Sequence, residues 1–305
     1  MRNLRRAALA LAAVLSLCAP CVASDDKPCG LVRAASVEMS VDPTGRPNVP
    51  LSIGGQTFNL LVDTGGVDSM LSDKTVEALG LPKMPLQYAY VVMFGGLKID
   101  HNTIARDIDF GGLKAEKMPF LVTPAPMSDG VSGILSNDVL RVYDVEFDFA
   151  NARFNLFLQD HCQADLAYWT TDDHAVIPFT LSNIGHIEFL VELDGQSIRA
   201  VLDTGAFRST LQLEQAEDIF SFKDDDPALK TIAKSSRGNV SKYPFKTLKF
   251  GGVAVSNPDI LLFPRREIAL PGRPELILGM DVLRQLHLYI AYKEKKLYVT
   301  AASAH

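Results

Sequence analysis

Short apolar runs alternate with polar or glycine-bearing turns along most of the chain. This pattern is typical of β-strands joined as hairpins. One predicted hairpin covers 49–62, with Gly54 and Gly55 at the turn, where positive φ angles are needed. Two stretches have the spacing of short helices instead: 72–79, which opens on a serine N-cap, and 213–220. The pattern therefore predicts a protein built mostly of β-strands.

The same pattern occurs twice. In the stretch 58–71 an apolar run leads into Asp-Thr-Gly, and 198–211 repeats this stretch 140 positions later. Other marks recur in the same order: Gly-Gly-Gln and Asp-Gly-Gln at 54–56 and 194–196, Phe-Gly-Gly at 110–112 and 250–252, and closing runs ending in Asp-Val-Leu at 133–140 and 276–283. The closing runs are offset by 143, which a three-residue insertion explains. The chain is therefore an internal duplication.

Each copy carries an aspartate at the end of an apolar strand, Asp63 in the first half and Asp203 in the second. A carboxylate in such a place is costly unless it has a role. Asp-Thr-Gly alone would occur by chance in roughly 5% of chains of this size, so the repeat carries the argument. We expect each half to bring one acid to a shared site. The alternative is that both aspartates only cap turns.

Composition agrees with a compact soluble protein, since the 305 residues are 47% hydrophobic and 22% charged. Residues 1–24 combine a basic start with a short apolar run and are predicted to be a signal peptide. The alternative is an uncleaved anchor, although the apolar run is shorter than the ~20 residues of a membrane span. Removing three arginines with this segment changes the net charge from −6 to −9. We therefore expect no nucleic-acid partner and no membrane insertion of the mature chain.

The remaining chain divides at changes of pattern. We expect an N-terminal tail at 25–35, a first lobe at 36–160, a polar linker at 161–174 and a second lobe at 175–305. Trp169 in the linker either packs the two halves together or is exposed.

Two cysteines, Cys29 and Cys162, remain after signal removal, and in an exported chain they are predicted to form a disulfide. Two unpaired thiols are the alternative. The six histidines have no ligand spacing along the sequence, so no metal is expected. Asp68 and Arg208 occupy matching positions and are interpreted as solvated surface charges, with an ion pair between the halves as the alternative.

With these motifs the chain resembles the retropepsin-like, pepsin-related aspartic proteases, in a bacterial exported form with two retropepsin-sized lobes in one chain. The resemblance covers about residues 36–300. It implies an all-β, bilobal fold in which each lobe supplies one catalytic aspartate, Asp63 and Asp203. The supporting residues that it implies are Thr64, Gly65, Thr204 and Gly205, and the flap residues are Phe94, Gly95 and Gly96, with a weaker counterpart at Arg237 and Gly238.

The first lobe departs from the family pattern at two positions. Gly66 stands where the family usually has alanine or serine, and Ser136 stands where the closing run normally has glycine, as Gly279 does in the second lobe. Gly66 and Ala206 also lack the hydroxyl that a serine at either position would lend to the carboxylates. The sequence therefore predicts a pH optimum less acidic than that of pepsin.

The expected function is that of an aspartic endopeptidase, periplasmic or secreted, in which Asp63 and Asp203 activate a water without any cofactor. The expected partner is a polypeptide substrate bound in extended form, and the expected state is a monomer. One alternative is a catalytically silent peptide-binding or scaffolding module with the same fold. Another is a dimer in which each half pairs with the same half of a second chain.

Overall fold

The computed structural model describes residues 30–87, 91–92, 98–124, 127–161, 166–223, 225–235, 238–264 and 276–303. Strands make up 50% of the described residues and helices 9%, arranged as two barrel-like lobes. The prediction of a bilobal, mostly β fold is confirmed.

The first half forms an eight-stranded sheet in the order β2-β3-β4-β11-β5-β10-β9-β6 and contributes three strands to a second sheet. In chain order its elements are β1 (Arg33–Glu38), β2 (Ser40–Val41), β3 (Pro47–Ile53), β4 (Gln56–Val62), β5 (Met70–Ser72), α1 (Asp73–Ala78), β6 (Met84–Pro85), β7 (Val91–Val92), β8 (Lys98–Ile99), β9 (His101–Phe110), β10 (Leu113–Thr123), β11 (Gly133–Leu135), α2 (Asn137–Leu140), β12 (Asp144–Asp148) and β13 (Arg153–Phe157).

The second half repeats this plan in a ten-stranded sheet whose main path is β19-β20-β23-β18-β24-β17-β16-β21-β22. Its elements are β14 (Ala175–Pro178), β15 (Thr180–Leu181), β16 (Ile187–Leu193), β17 (Gln196–Leu202), β18 (Thr210–Gln212), α3 (Leu213–Phe220), β19 (Lys230–Ser235), β20 (Gly238–Lys242), β21 (Thr247–Phe250), β22 (Val253–Ser256), β23 (Leu261–Phe263), β24 (Leu276–Leu278), α4 (Met280–Leu283), β25 (Leu286–Ala291) and β26 (Lys296–Ala301).

The hairpins have the turns that the sequence predicts. Gly54 and Gly55 join β3 to β4 with φ angles of 57° and 78°. The matching turn between β16 and β17 has φ angles of 46° at Asp194 and 83° at Gly195. Two successive positive φ angles define the two-residue turn that matches strand twist, and aspartate tolerates the first of them. This explains why Gly-Gly-Gln and Asp-Gly-Gln occupy equivalent places.

Both predicted helices are present. The N-cap of α1 is Ser72, whose hydroxyl accepts a hydrogen bond from the Thr75 N–H at 3.2 Å. The helix is followed by Gly80, with a φ of 61°. None of the helices in the described part of the chain has the length and apolar character required to cross a bilayer.

The strand that precedes each aspartate is fixed by the closing run of its own lobe. β11 lies parallel to β4, with Leu135 opposite Val62, and β24 lies parallel to β17, with Leu278 opposite Leu202. These side chains are almost completely buried in a large core cluster that includes residues of both lobes. The closing run that the sequence repeats is therefore the neighbouring strand that positions the end of β4 in the first lobe and of β17 in the second.

A six-stranded sheet, ordered β1-β13-β12-β25-β26-β14, joins the lobes, because β12 of the first half pairs antiparallel with β25 of the second. Strand β1 begins at Arg33, inside the expected tail. The expected linker also packs here: the Trp169 indole donates to the Thr300 hydroxyl at 3.0 Å and stacks on His287 with ring centroids 4.2 Å apart. Trp169 is therefore a packing residue of the shared sheet.

Candidate active site

The two Asp-Thr-Gly turns are bound to each other by their threonines. The Thr64 N–H donates to the Thr204 hydroxyl at 3.1 Å, and the Thr204 N–H donates to the Thr64 hydroxyl at 3.0 Å. Each hydroxyl then donates across the interface, Thr64 to the Leu202 carbonyl at 2.9 Å and Thr204 to the Val62 carbonyl at 2.7 Å. Both threonines are fully buried. Four hydrogen bonds therefore fix the position of one turn relative to the other.

The turn glycines bring the carboxyl groups together. A Cβ on Gly65 would overlap the carboxyl group of Asp203, and a Cβ on Gly205 would overlap the carboxyl group of Asp63. Each carboxyl group therefore lies against the backbone of the opposite turn, where only glycine leaves room. The two acids that are 140 residues apart in sequence share one site between the lobes.

The carboxyl groups also accept backbone hydrogen bonds from their own turns. Asp63 Oδ1 accepts from the N–H groups of Gly65 and Gly66, both at 2.9 Å. Asp203 Oδ1 accepts from the Ala206 N–H at 3.0 Å. These donors fix the rotation of each carboxyl group and favour its ionised form.

The two acids differ in how strongly they hold a proton. Burial raises the pKa of both, and the charge of Asp63 raises the pKa of Asp203 further, to about 8. Backbone N–H groups oppose the effect of burial at both acids. At Asp63, a hydrogen bond with Asp203 and the charge of a protonated His186 oppose it as well. The pair shares one proton, and these interactions favour its position on Asp203.

A second pair of aspartates supports the turns. Asp138 Oδ1 accepts from the N–H and hydroxyl of Ser69 at 3.1 and 2.7 Å, and Asp281 Oδ1 accepts from the N–H and hydroxyl of Ser209, both at 2.8 Å. Burial raises the pKa of both supporting carboxyl groups. In the sequence these aspartates are repeat marks for which no role is predicted. Their matching places in the two closing runs were the available signal.

Arg46 and His186 also occupy matching positions, each 17 residues before the aspartate of its own half. Arg46 bonds Asp42 through Nε at 2.9 Å and Nη2 at 2.7 Å, and its Nη1 donates to the Gly205 carbonyl of the opposite turn at 3.4 Å. His186 lies close enough to Asp63 for its charge to lower the pKa of that acid. Sequence reasoning missed both residues, although the shared spacing could have indicated them.

Several predicted residues lie outside the described part of the chain: Phe94, Gly95 and Gly96 of the first flap, Arg237 of the second, and the predicted disulfide partners Cys29 and Cys162. Gly238 is described and begins β20 with a φ of 132°. It belongs to the β19–β20 hairpin, which stands where the second flap is expected.

Arg208 pairs with Asp259 of its own lobe at 3.0 Å, and Lys242 contacts the same carboxylate at 2.5 Å. These side chains are partly exposed, so Arg208 is a surface charge as expected, and its partners are in its own lobe.

One group with metal-ligand chemistry occurs among the described residues: Asp144, His161 and Glu294, whose ligand atoms lie within 4.8 Å of one another. His161 Nε2 is 2.6 Å from Asp144 Oδ2, and its Nδ1 is 4.0 Å from Glu294 Oε1. Since Asp144 belongs to β12, the group sits in the shared sheet and is separate from the paired aspartates. Its members are far apart in sequence, which is why spacing did not indicate it.

Comparison with known proteins identifies relatives of both halves. The model of a family described as aspartyl protease matches residues 49–139 and again residues 190–282. The crystal structure of Basic 7S globulin from soybean has a TM-score of 0.55 at 10% identity, covering 90% of this chain and 97% of that one. The aspartic proteinase from Irpex lacteus has a TM-score of 0.56 at 14% identity, covering 88% and 97%. At these identities the two structures show a shared fold. A search of curated proteins found no match.

Proposed function

The chain belongs to the aspartyl protease family, and from this premise we propose that it is an endopeptidase that hydrolyses peptide bonds with the Asp63 and Asp203 pair. One observation carries the proposal: each carboxyl group lies against the backbone of the opposite turn, and the threonine hydrogen bonds that hold the two turns together are the same on both sides. A pair that only capped two turns would not require the glycines to make room for the opposite acid.

The chemistry follows from a pair that holds one proton and one charge. The carboxylate takes a proton from a water bound between the acids as the water oxygen attacks the peptide carbonyl carbon. The carboxylic acid gives its proton to the carbonyl oxygen, which avoids a free oxyanion. The resulting gem-diol then breaks its C–N bond: the nitrogen takes the proton that the first aspartate received from water, and one gem-diol hydroxyl returns a proton to the second aspartate. Two side chains therefore supply both the base and the acid.

The substrate of this site is an extended polypeptide, because a cleft between two β lobes offers strand-like pairing to a backbone and pockets to alternate side chains. Val67 and Phe207 lie four residues after the two aspartates, and they are exposed, at 39% and 51%. Exposed apolar side chains at matching sequence positions close after both aspartates favour substrates with apolar side chains beside the cleaved bond. We expect a cleavage profile that is apolar near the cut.

We also propose that the protein is exported, to the periplasm or beyond, and acts as a monomer. The basic and apolar residues at 1–24 support export. The hydrogen bonds between Thr64 and Thr204 support a site completed within one chain, because each half already has its partner turn. The molecular mass in solution tests the monomer, and cell fractionation with and without residues 1–24 tests export.

The central experiment is cleavage of a randomised peptide library by the chain from residue 25 onward, across pH, beside Asp63→Asn and Asp203→Asn. General acid and base groups contribute about 10²–10⁴-fold each, so either variant is expected to lose at least about 10²-fold in kcat/KM. Peptide binding is measured on the same samples. If the wild-type protein binds peptides but cuts none, the endopeptidase proposal is wrong and the protein is a peptide-binding module.

A further inference from the structure

The two departures of the first lobe, Gly66 and Ser136, are in contact. A Cβ on Gly66 would overlap the hydroxyl oxygen of Ser136. In the second lobe the equivalent residues are Ala206 and Gly279, so the side chain is on the turn and the closing run has none. A Cβ on Gly279 would instead overlap the backbone of Arg208. Each lobe therefore has one side chain at this pair of positions, and only the first lobe's side chain carries a hydroxyl.

The Ser136 hydroxyl and the Asp63 carboxyl group border the same space next to Gly66. The point that a Gly66 Cβ would occupy touches Ser136 Oγ and is only 3.1 Å from Asp63 Oδ2. The backbone N–H groups of Gly65 and Gly66 donate to the other oxygen, Oδ1. Ser136 is completely buried, and within the described part of the chain its Oγ has no hydrogen-bond partner. A buried hydroxyl without a partner is unfavourable, so a role that uses it only in one protonation state explains its presence.

We propose that Ser136 is a positioning residue for Asp63: its hydroxyl turns to donate a hydrogen bond to Asp63 Oδ2 when that group is ionised, which assigns Asp63 as the base and Asp203 as the acid. This assignment rests on the proposed endopeptidase function. Gly66 in the turn has no hydroxyl to offer Asp63, and Ser136 in the closing run provides one instead. The second lobe has no equivalent, because Ala206 and Gly279 both lack a hydroxyl.

Other charged groups surround this contact and must be separated from it. Asp203 faces Asp63 from the opposite turn, and His186 acts on it from the turn between β15 and β16. Behind Ser136, whose N–H donates to the Ser69 hydroxyl, lies the Asp138 carboxylate, and Asp68 acts on Asp138 in turn. Substitution of Ser136 leaves all of these groups in place.

The expected sign follows from the direction of the hydrogen bond. A donor to the ionised form lowers the pKa of Asp63, so its loss raises the pH at which the base becomes protonated. The acid limb of the kcat/KM profile should therefore move to higher pH in Ser136→Ala, by about one pH unit, the order of one charge-assisted hydrogen bond. The prediction of a less acidic optimum than pepsin's assumed that no hydroxyl lies beside the pair. Ser136 instead extends activity towards lower pH.

Three variants separate the hydroxyl from the space that it fills. Ser136→Ala removes the hydroxyl. The double variant Gly66→Ala with Ser136→Gly reproduces the second-lobe arrangement, with the space filled and no hydroxyl. The double variant Gly66→Ser with Ser136→Gly returns a hydroxyl from the turn. We expect the first two to shift the acid limb upward by about one unit and the third to restore it. A shift in Ser136→Ala alone would point to the empty space and would overturn the proposal.

Thr103→Val is the matched control, since Thr103 is a completely buried first-lobe residue whose hydroxyl also has no partner among the described residues. Because it removes a buried hydroxyl that has no partner, it should not lower the melting temperature, and it should leave the acid limb where it is. An unchanged acid limb in Ser136→Ala overturns the proposal whatever the stability.

Carbon NMR titration of the aspartate carboxyl groups in the mature chain gives a readout that does not depend on turnover. If wild-type protein cuts no peptide, the endopeptidase proposal fails on its own. Ser136→Ala must still raise the lower carboxyl titration of the pair, and an unchanged titration would overturn the role of Ser136 separately.

Discussion

The turn that carries Asp63 and the turn that carries Asp203 have matching backbone hydrogen bonds but different neighbours. Beside Asp63 lie the Ser136 hydroxyl and the imidazole of His186. The corresponding positions near Asp203 hold Gly279, which has no side chain, and Arg46, which reaches the Gly205 carbonyl. The duplication has kept the geometry of two acids and changed the groups that decide which acid is ionised.

This difference shows that two kinds of requirement act on the site. The threonine bonds and turn glycines must be the same on both sides, because each half positions the acid of the other. The groups that set proton affinity must differ, because a reaction that needs one base and one acid gains nothing from two equivalent carboxyl groups. Substitutions at matching positions can therefore test the shared part and the divergent part separately.

The largest effect is expected where the halves must be equal. Gly65→Ala and Gly205→Ala each place a methyl group on the opposite carboxyl group, and the displacement of a reacting group by about 1 Å costs about 10²-fold in rate. Both variants should lose at least about 10²-fold in kcat/KM, to a similar degree. Gly30→Ala is the control, since a Cβ there meets nothing within 4 Å. Full activity in either site variant would show that the carboxyl groups do not meet as described.

The next effect should differ between the lobes. Gly66→Ala introduces a methyl group onto Ser136 Oγ and is expected to destabilise the protein by about 1–3 kcal/mol, as overpacking does. Ala206→Gly removes a methyl group and should cost less than about 1 kcal/mol. Urea denaturation measures both. Adding Ser136→Gly to Gly66→Ala should restore most of the lost stability, and failure to do so would mean that the two positions do not compete for one space.

The part of the site that consists of short, continuous sequence motifs could be predicted from the sequence. Asp63, Asp203 and their threonines and glycines were predicted because the motif occurs twice in one register, and α1 because a serine cap and a terminal glycine bracket it. Gly66 and Ser136 were recognised as departures, but they are 70 positions apart in the sequence and only the folded chain brings them into contact. The roles of Arg46 and His186 likewise depend on reaching across to the other half.

The turns that hold Arg46 and His186 also differ between the lobes. Asp42 supports the first turn: burial acts to raise its pKa, but hydrogen bonds from Thr44 and Arg46 lower it to about 2. Ser182 occupies the matching position and cannot titrate. Because the folded pKa lies below the unfolded one, Asp42 contributes stability above about pH 4, and this is lost as pH falls towards 2. Asp42→Asn should cost about 2 kcal/mol at neutral pH and little at pH 2.

Thermal unfolding of Asp42→Asn and wild type between pH 7 and pH 2 measures this difference. Ser182→Ala serves as the control, because Ser182 accepts the His186 N–H at 3.1 Å without carrying charge. Its effect should be smaller than that of Asp42→Asn and should not vary with pH over that range. An Asp42→Asn deficit that stays constant down to pH 2 would contradict the lowered pKa of Asp42.

The smallest effect is expected from His186, which acts on the pKa of Asp63 through its charge. A protonated His186 lowers the pKa of Asp63, so His186→Gln should move the acid limb of kcat/KM to higher pH, by less than one unit. His186→Arg gives the second turn the same permanent charge as Arg46 in the first and should leave the acid limb where it is, or move it slightly lower. A His186→Gln profile that overlays wild type would leave Ser136 as the source of the asymmetry. A shift of equal size in both variants would instead indicate that the imidazole acts through packing, because the arginine keeps the charge and changes only the shape.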